Sequence, residues 1–181
     1  MLFYVYAEDA PGVQDRMIDR AEEHWSYMDG FADRLVLRGP TLSADGEEHT
    51  GSVHVVDVPD RTAAERFATQ EPYWKAGLYR EFRADRMLVE RHGEIGREQD
   101  MTLVCVRRPP RPLTDGPIEL GAPEQVLAFT GLLVDDEAAQ STGFVAVLRT
   151  LSEAVVEEFT GRVAGAGTTV TTTRWCRGGR H

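Results

Sequence analysis

The chain of 181 residues has two cysteines, Cys105 and Cys176, in no CxxC or zinc-ligand spacing, so it carries neither a disulfide framework nor a recognisable zinc site. Both read as small core or strand residues of a reducing compartment. There is no run of about 18 apolar residues, which excludes a transmembrane helix. The opening MLFYVYAED lacks both a basic n-region and a long apolar segment, so no secretory signal is expected and a cytoplasmic location follows by default. Lysine is almost absent: Lys75 is the only one among 20 basic residues, against 30 acidic residues and a formal net charge of −10. That balance argues against nucleic acid as a partner, because nucleic-acid binding rests on a Lys/Arg surface. The short run Arg107, Arg108 and Arg111, broken by prolines, reads as a solvated linker. No phosphate loop, dinucleotide fingerprint, nucleophile elbow or zincin motif occurs, so no cofactor and no metal are expected.

What is present is a regular alternation. LFYVYA (2–7), RLVLRG (34–39), SVHVVDV (52–58) and DRMLVERH (85–92) have the β-branched and aromatic character of strands. A helix is expected from about Pro11, favoured in a first turn, to about Ala32. A second begins at Asp60 and Thr62, where Thr62 and Glu65 have capping-box spacing. The order β-α-β-β-α-β is that of a ferredoxin-like unit.

The pattern then restarts. MTLVCV (101–106) resembles the opening strand, and the chain matches itself at an offset of 92 positions. Gly39 falls on Gly131, Thr50-Gly51 on Thr142-Gly143, Val53 and Val55 on Val145 and Val147, Glu65 on Glu157, and Phe67 on Phe159. From each opening Met to the shared Gly the second copy is eight residues shorter, equivalent to about two turns of its first helix. The expected fold class is α+β: two ferredoxin-like repeats, residues 1–93 and 101–181, joined by a polar linker at 94–100. Their bare sheet faces are expected to pack together as an intrachain pseudo-dimeric α/β barrel. Whether pseudo-dimers pair again as a homodimer is left open by the sequence.

One residue breaks the apolar pattern of the first helix. Val13, Met17, Ala21, Trp25, Met28 and Ala32 form a stripe at three- and four-residue spacings. His24 lies about 20° from Met17 around that axis, so it sits inside the stripe, where a polar side chain needs a partner or a role.

MLFYVYAED, His24 within the first helix, RLVLRGP (34–40) and EPYWKAGLY (71–79) together resemble the YciI-like, or YCII-related, family over residues 1 to about 90. Its members are small ferredoxin-like units that pair into dimeric α/β barrels. The family's Asp-Pro-Tyr is here Glu71-Pro72-Tyr73, one methylene longer. The resemblance implies small-molecule chemistry assigned to a His and an acidic residue, including hydrolase-like and dehydrochlorinase-type reactions. It makes His24 the catalytic general base or acid, with Glu71 as its partner ahead of Asp33, which lies roughly opposite His24 in azimuth.

Around this pair the substrate-binding candidates are Tyr73, Trp74 and Gly77 of the same segment, and Gly39-Pro40, read as a turn near the cleft whose backbone NH groups can hold an anion. Arg20, one turn before His24, is a carboxylate-binding candidate. His54 is a polar group on the third strand, in the cleft if that face lines the interior between sheets. A metal site built from His24, His49 and His54 has no recognised spacing.

The second copy has Val163 where the first has Glu71, and no histidine occurs between Met101 and Arg180. It therefore reads as a structural half, giving one site per chain. The function expected is cofactor-independent acid–base chemistry on a small organic molecule, by elimination, isomerisation, cyclisation or hydrolysis. The alternatives are a non-catalytic ligand-binding or accessory protein, and a cofactor-free monooxygenase of the dimeric α/β-barrel group.

Overall fold

The computed structural model describes residues 1–96, 100–113, 120 and 125–180. The chain divides into two compact units, Met1–Asp85 with Arg177–His181, and Arg86–Cys176. Both are α+β and built on antiparallel strands.

Unit 1 begins with β1 (Leu2–Asp9), followed by α1 (Gln14–Asp19) and α2 (Ala21–Asp29). The single helix expected over this stretch is broken at Arg20, whose backbone (φ −110°, ψ 6°) leaves the helical region. The stripe is correspondingly incomplete: Val13, Met17 and Met28 are buried, whereas Trp25 is 40% exposed. After a 3-10 turn at Ala32–Arg34 come β2 (Leu35–Leu42), β3 (His49–Asp57), α3 (Arg61–Gln70), the short α4 (Pro72–Lys75) and β4 (Tyr79–His92). The cap of α3 is Asp60, which accepts from the Ala63 N–H at 2.8 Å; Thr62 lies inside the helix. β4 starts six residues earlier than the sequence pattern indicates, and the boundary between units falls within it.

The sheet order in unit 1 is β4-β1-β3-β2, with Arg80 of β4 ion-paired to Glu8 of β1. Side chains alternate between faces along a strand. Val5 and Val56 therefore point toward Met28, Ala64 and Phe67 of the helices and bury a common core with them. His54 is the cross-strand partner of Val5 and Ser52 that of Ala7, which puts both polar residues on the helix-covered face.

Unit 2 contains β5 (Met101–Pro112), β6 (Leu127–Val134), β7 (Gln140–Leu148), α5 (Glu153–Val163) and β8 (Thr169–Trp175), in the order β8-β5-β7-β6. Val104, Leu132, Phe144, Ala146 and Phe159 lie at its core. The arginine run expected to be a solvated linker is part of β5: Arg107 pairs with Gly143, and half-buried Arg108 donates to Ser141 Oγ at 2.8 Å. In the stretch read as a linker, Ile95 is buried and Asp100 is ion-paired to Arg174, while residues 97–99 fall outside the described residues. The shortened first helix expected for a second repeat also falls largely outside them.

The β6–β7 hairpin reproduces β2–β3 pair for pair. Leu37↔Val55, Gly39↔Val53 and Thr41↔Gly51 recur as Phe129↔Val147, Gly131↔Val145 and Leu133↔Gly143. Both register irregularities recur as well, at Leu35/Leu37 and Thr41/Leu42, and at Leu127/Phe129 and Leu133/Val134. The glycines of the shared Thr-Gly pair, Gly51 and Gly143, have one steric role. A Cβ on Gly51 would collide with the Ala7 carbonyl oxygen, and one on Gly143 with that of Val106.

Candidate functional site

The site of unit 1 is assembled where α4 meets α2. Gln70 ends α3, and Pro72 holds Glu71 extended (φ −63°, ψ 135°), so the helix stops and a new one starts at once. Glu71 caps that new helix: its Oε2 accepts from the Trp74 N–H at 3.0 Å. The other carboxylate oxygen, Oε1, lies 2.5 Å from His24 Nδ1. Glu71 is only 3% exposed and the His24 side chain 12% exposed, so the pair is largely out of water. With its proton on Nδ1, His24 donates to the carboxylate and keeps the Nε2 lone pair free. That is the tautomer a general base requires.

Tyr73 fixes the ring. Its aromatic plane stacks on that of His24 at 4.4 Å between centroids and 3° between planes, and its hydroxyl donates to the Met17 carbonyl at 3.0 Å. Gly77, at φ +66°, makes the tight turn that brings the chain back into β4, a conformation glycine adopts without strain. Tyr79, next in space, meets Tyr73 edge-on at 5.7 Å and donates to Ser52 Oγ at 2.7 Å.

Burial, and then the Glu71 carboxylate, push the Tyr73 phenol up to about 12 and that of Tyr79 well above its usual 10. His54 is buried with its ring 6.2 Å from that of His24 and edge-on to Phe67. Burial, then the charges of His24, Arg38 and His49, hold its pKa well below 6.5, so it stands neutral in the site.

The sequence candidates thus divide. His24, Glu71, Tyr73 and His54 come together, and Gly77 shapes the turn beside them. Trp74 contributes its backbone N–H to Glu71 and packs its ring on Phe82 at 5.0 Å, away from His24. Arg20 is exposed and ion-paired to Glu23, so it does not reach the site. Gly39 and Pro40 do not form a turn: β2 continues through them to Leu42, with Gly39 in register with Val53 on the face away from the helices and Pro40 opposite Ser52. Asp33 is exposed in the 3-10 turn.

Tyr79, edge-on to Tyr73, and Ser52, which accepts from Tyr79, were not among the sequence candidates. Among the described residues no group of three His, Cys, Asp or Glu is arranged to hold a metal ion, and no helix is long and apolar enough to cross a membrane.

Comparison with known proteins gives the family. A model of the YCII-related domain matches residues 1–87. An uncharacterised protein of Haemophilus influenzae is 28% identical over 86 residues, covering 44% of this chain and 88% of that protein. The 5-chloro-2-hydroxyhydroquinone dehydrochlorinase (TftG) of Burkholderia phenoliruptrix, solved with 2,5-dihydroxybenzoquinone, is 30% identical, covering 51% of this chain and 96% of its own, at a TM-score of 0.46. An anthrone oxidase-like protein covers 98% of this chain and 90% of its own at a TM-score of 0.54, and at 12% identity the likeness is one of fold alone. Through its first 87 residues the chain belongs to the YCII-related family.

Proposed function

We propose that unit 1 is a general acid–base site acting on a small organic molecule, with His24 as the base and Glu71 orienting it. The observation that carries this reading is the 2.5 Å contact between His24 Nδ1 and Glu71 Oε1, made by a ring already stacked on Tyr73. A substrate proton passes to Nε2, and the imidazolium formed is stabilised by the carboxylate at Nδ1. Tyr73 holds the imidazole in place by stacking on it, and His54 is a neutral hydrogen-bonding group. Nothing in the scheme calls on a cofactor.

Such a pair serves elimination, isomerisation, cyclisation or hydrolysis, and elimination is the one read by chloride release. We also read the chain as a duplication with one site per chain, unit 2 being structural. The repeated hairpin register and the absence of histidine from 101–180 support that reading.

The test is chloride release from 5-chloro-2-hydroxyhydroquinone, with dissolved oxygen followed in parallel. The expected result is chloride release without oxygen consumption, reduced on the order of 100-fold in His24→Asn. Oxygen uptake in step with turnover would move the site to the monooxygenase reading. A protein that binds 2,5-dihydroxybenzoquinone through His24 but turns nothing over would be the non-catalytic binder.

A further inference from the structure

A second imidazole–carboxylate pair in unit 1 is not used by this scheme. Asp9 closes β1 with its side chain only 7% exposed, and its Oδ2 lies 2.7 Å from His49 Nδ1 at the start of β3. The other oxygen, Oδ1, is buried without a partner, which is costly for a carboxylate serving structure alone. His49 is held from both sides. Asp9 fixes its ring, while Gln14 accepts from its N–H at 3.2 Å and donates to its carbonyl at 2.6 Å. With Nδ1 committed to Asp9, Nε2 is the free nitrogen of a ring that is 24% exposed.

This pair borders the cluster around His24. Tyr73 links His24 to Tyr79, and Tyr79 reaches Ser52, three residues along β3 from His49. Electrostatics agree with that proximity: Glu71 and Asp9 both raise the phenols of Tyr73 and Tyr79, and His24 and His49 both lower His54. The arrangement is particular to unit 1. The residue 92 positions after His49 is Ser141, which accepts from Arg108.

We propose that Asp9–His49 is the second acid–base pair of the site, with His49 delivering a proton to one atom of a conjugated, hydroxylated substrate while His24 removes one from another. The proposal rests on the acid–base reading of His24. In the step, a substrate O–H bond breaks and its proton goes to His24 Nε2. The electron pair enters the conjugated system, and a C–H bond forms with the proton from His49 Nε2. The substrate is isomerised without change of formula; His24 returns its proton to solvent and His49 regains one. Where the protonated carbon carries a leaving group, departure of that group with its bonding pair, and loss of a second O–H proton, completes an elimination. His49 is then a catalytic residue and Asp9 a positioning residue.

The experiment compares His49→Gln, Asp9→Asn and Asp9→Glu with His24→Asn in the full chain, using the chloride assay. His49→Gln is expected to lower kcat on the order of 100-fold with KM changed only a few-fold. Asp9→Asn should lower kcat in the same way, and Asp9→Glu should recover part of it. If His49→Gln keeps wild-type kcat while His24→Asn loses it, this proposal falls and the function above stands. If His24→Asn keeps kcat, the underlying reading falls. A readout independent of turnover is titration of histidine-labelled protein with 2,5-dihydroxybenzoquinone. The ring resonances of His24 and His49 should shift together; a shift at His24 alone, or at neither, overturns the proposal.

Discussion

The ring of Tyr73 lies parallel to the ring of His24, 4.4 Å away, with its hydroxyl turned off to the Met17 carbonyl. The phenol is thereby divided in function: its face positions the imidazole and its oxygen ties α4 to α1. Tyr73→Phe keeps the face and loses the tie. It should cost about 1 kcal/mol in urea unfolding with little change in kcat, whereas Tyr73→Leu should lower kcat as the imidazole loses its stacking surface. Equal kcat in the two variants would show that stacking does not position His24.

Glu71 has two duties that substitution can separate. Glu71→Gln retains an oxygen for the Trp74 N–H and removes the charge beside His24, so it should lower activity more than stability. Glu71→Ala removes the cap as well and leaves a buried ring N–H unpaired, at a combined cost of about 2 kcal/mol. Parallel urea titrations and rate measurements check both statements, and equal stability of the two variants would contradict the cap.

The buried titrating groups set opposite edges to the stability profile. His54 stays neutral in the fold, with a pKa well below 6.5, while the unfolded chain takes up its proton below that pH. Stability is therefore full above pH 6.5 and falls below it, by up to about 1.4 kcal/mol per pH unit. Tyr79 keeps its proton well above 10, so stability is full below pH 10 and is lost as the pH climbs beyond it. Urea midpoints across pH should show both limbs, with His54→Gln flattening the acid one and Tyr79→Phe the alkaline one.

Gly51 and Gly143 should fail alike. Each lies where a Cβ would enter a neighbouring strand's carbonyl oxygen, so Gly51→Ala and Gly143→Ala are each expected to cost about 2 kcal/mol or more. A tolerated substitution at either position would mean that the strand crossing relaxes.

Arg180 ties the chain end to the helix that carries His24, through ion pairs to Glu22 and Asp29 and a hydrogen bond to Ser26. Arg180→Ala is expected to speed amide hydrogen exchange across α2 while exchange in β5 and β7 stays unchanged. No change in α2 would make the contact incidental.

The order of strands and helices, the matching hairpins β2–β3 and β6–β7, and the pairing of His24 with Glu71 were legible in the sequence, because each rests on local information. Strand alternation, the helix-breaking Pro72 and the equal spacing of two hairpins are properties of short stretches, and the match to the YCII-related motifs supplied His24 and Glu71. What failed were statements that carry a local geometry too far. The placing of Trp25 in the buried stripe and of Arg20 beside the site assumed one straight helix, and the backbone breaks at Arg20, leaving both exposed. Gly39-Pro40 has a turn's composition, yet pairing with β3 holds it in a strand. Asp9 with His49, and Tyr79 with Ser52, lie 40 and 27 residues apart in the chain. No periodicity joins residues at such separations. Only the register of β1 against β3, and the return of the chain through Gly77 into β4, brings them together.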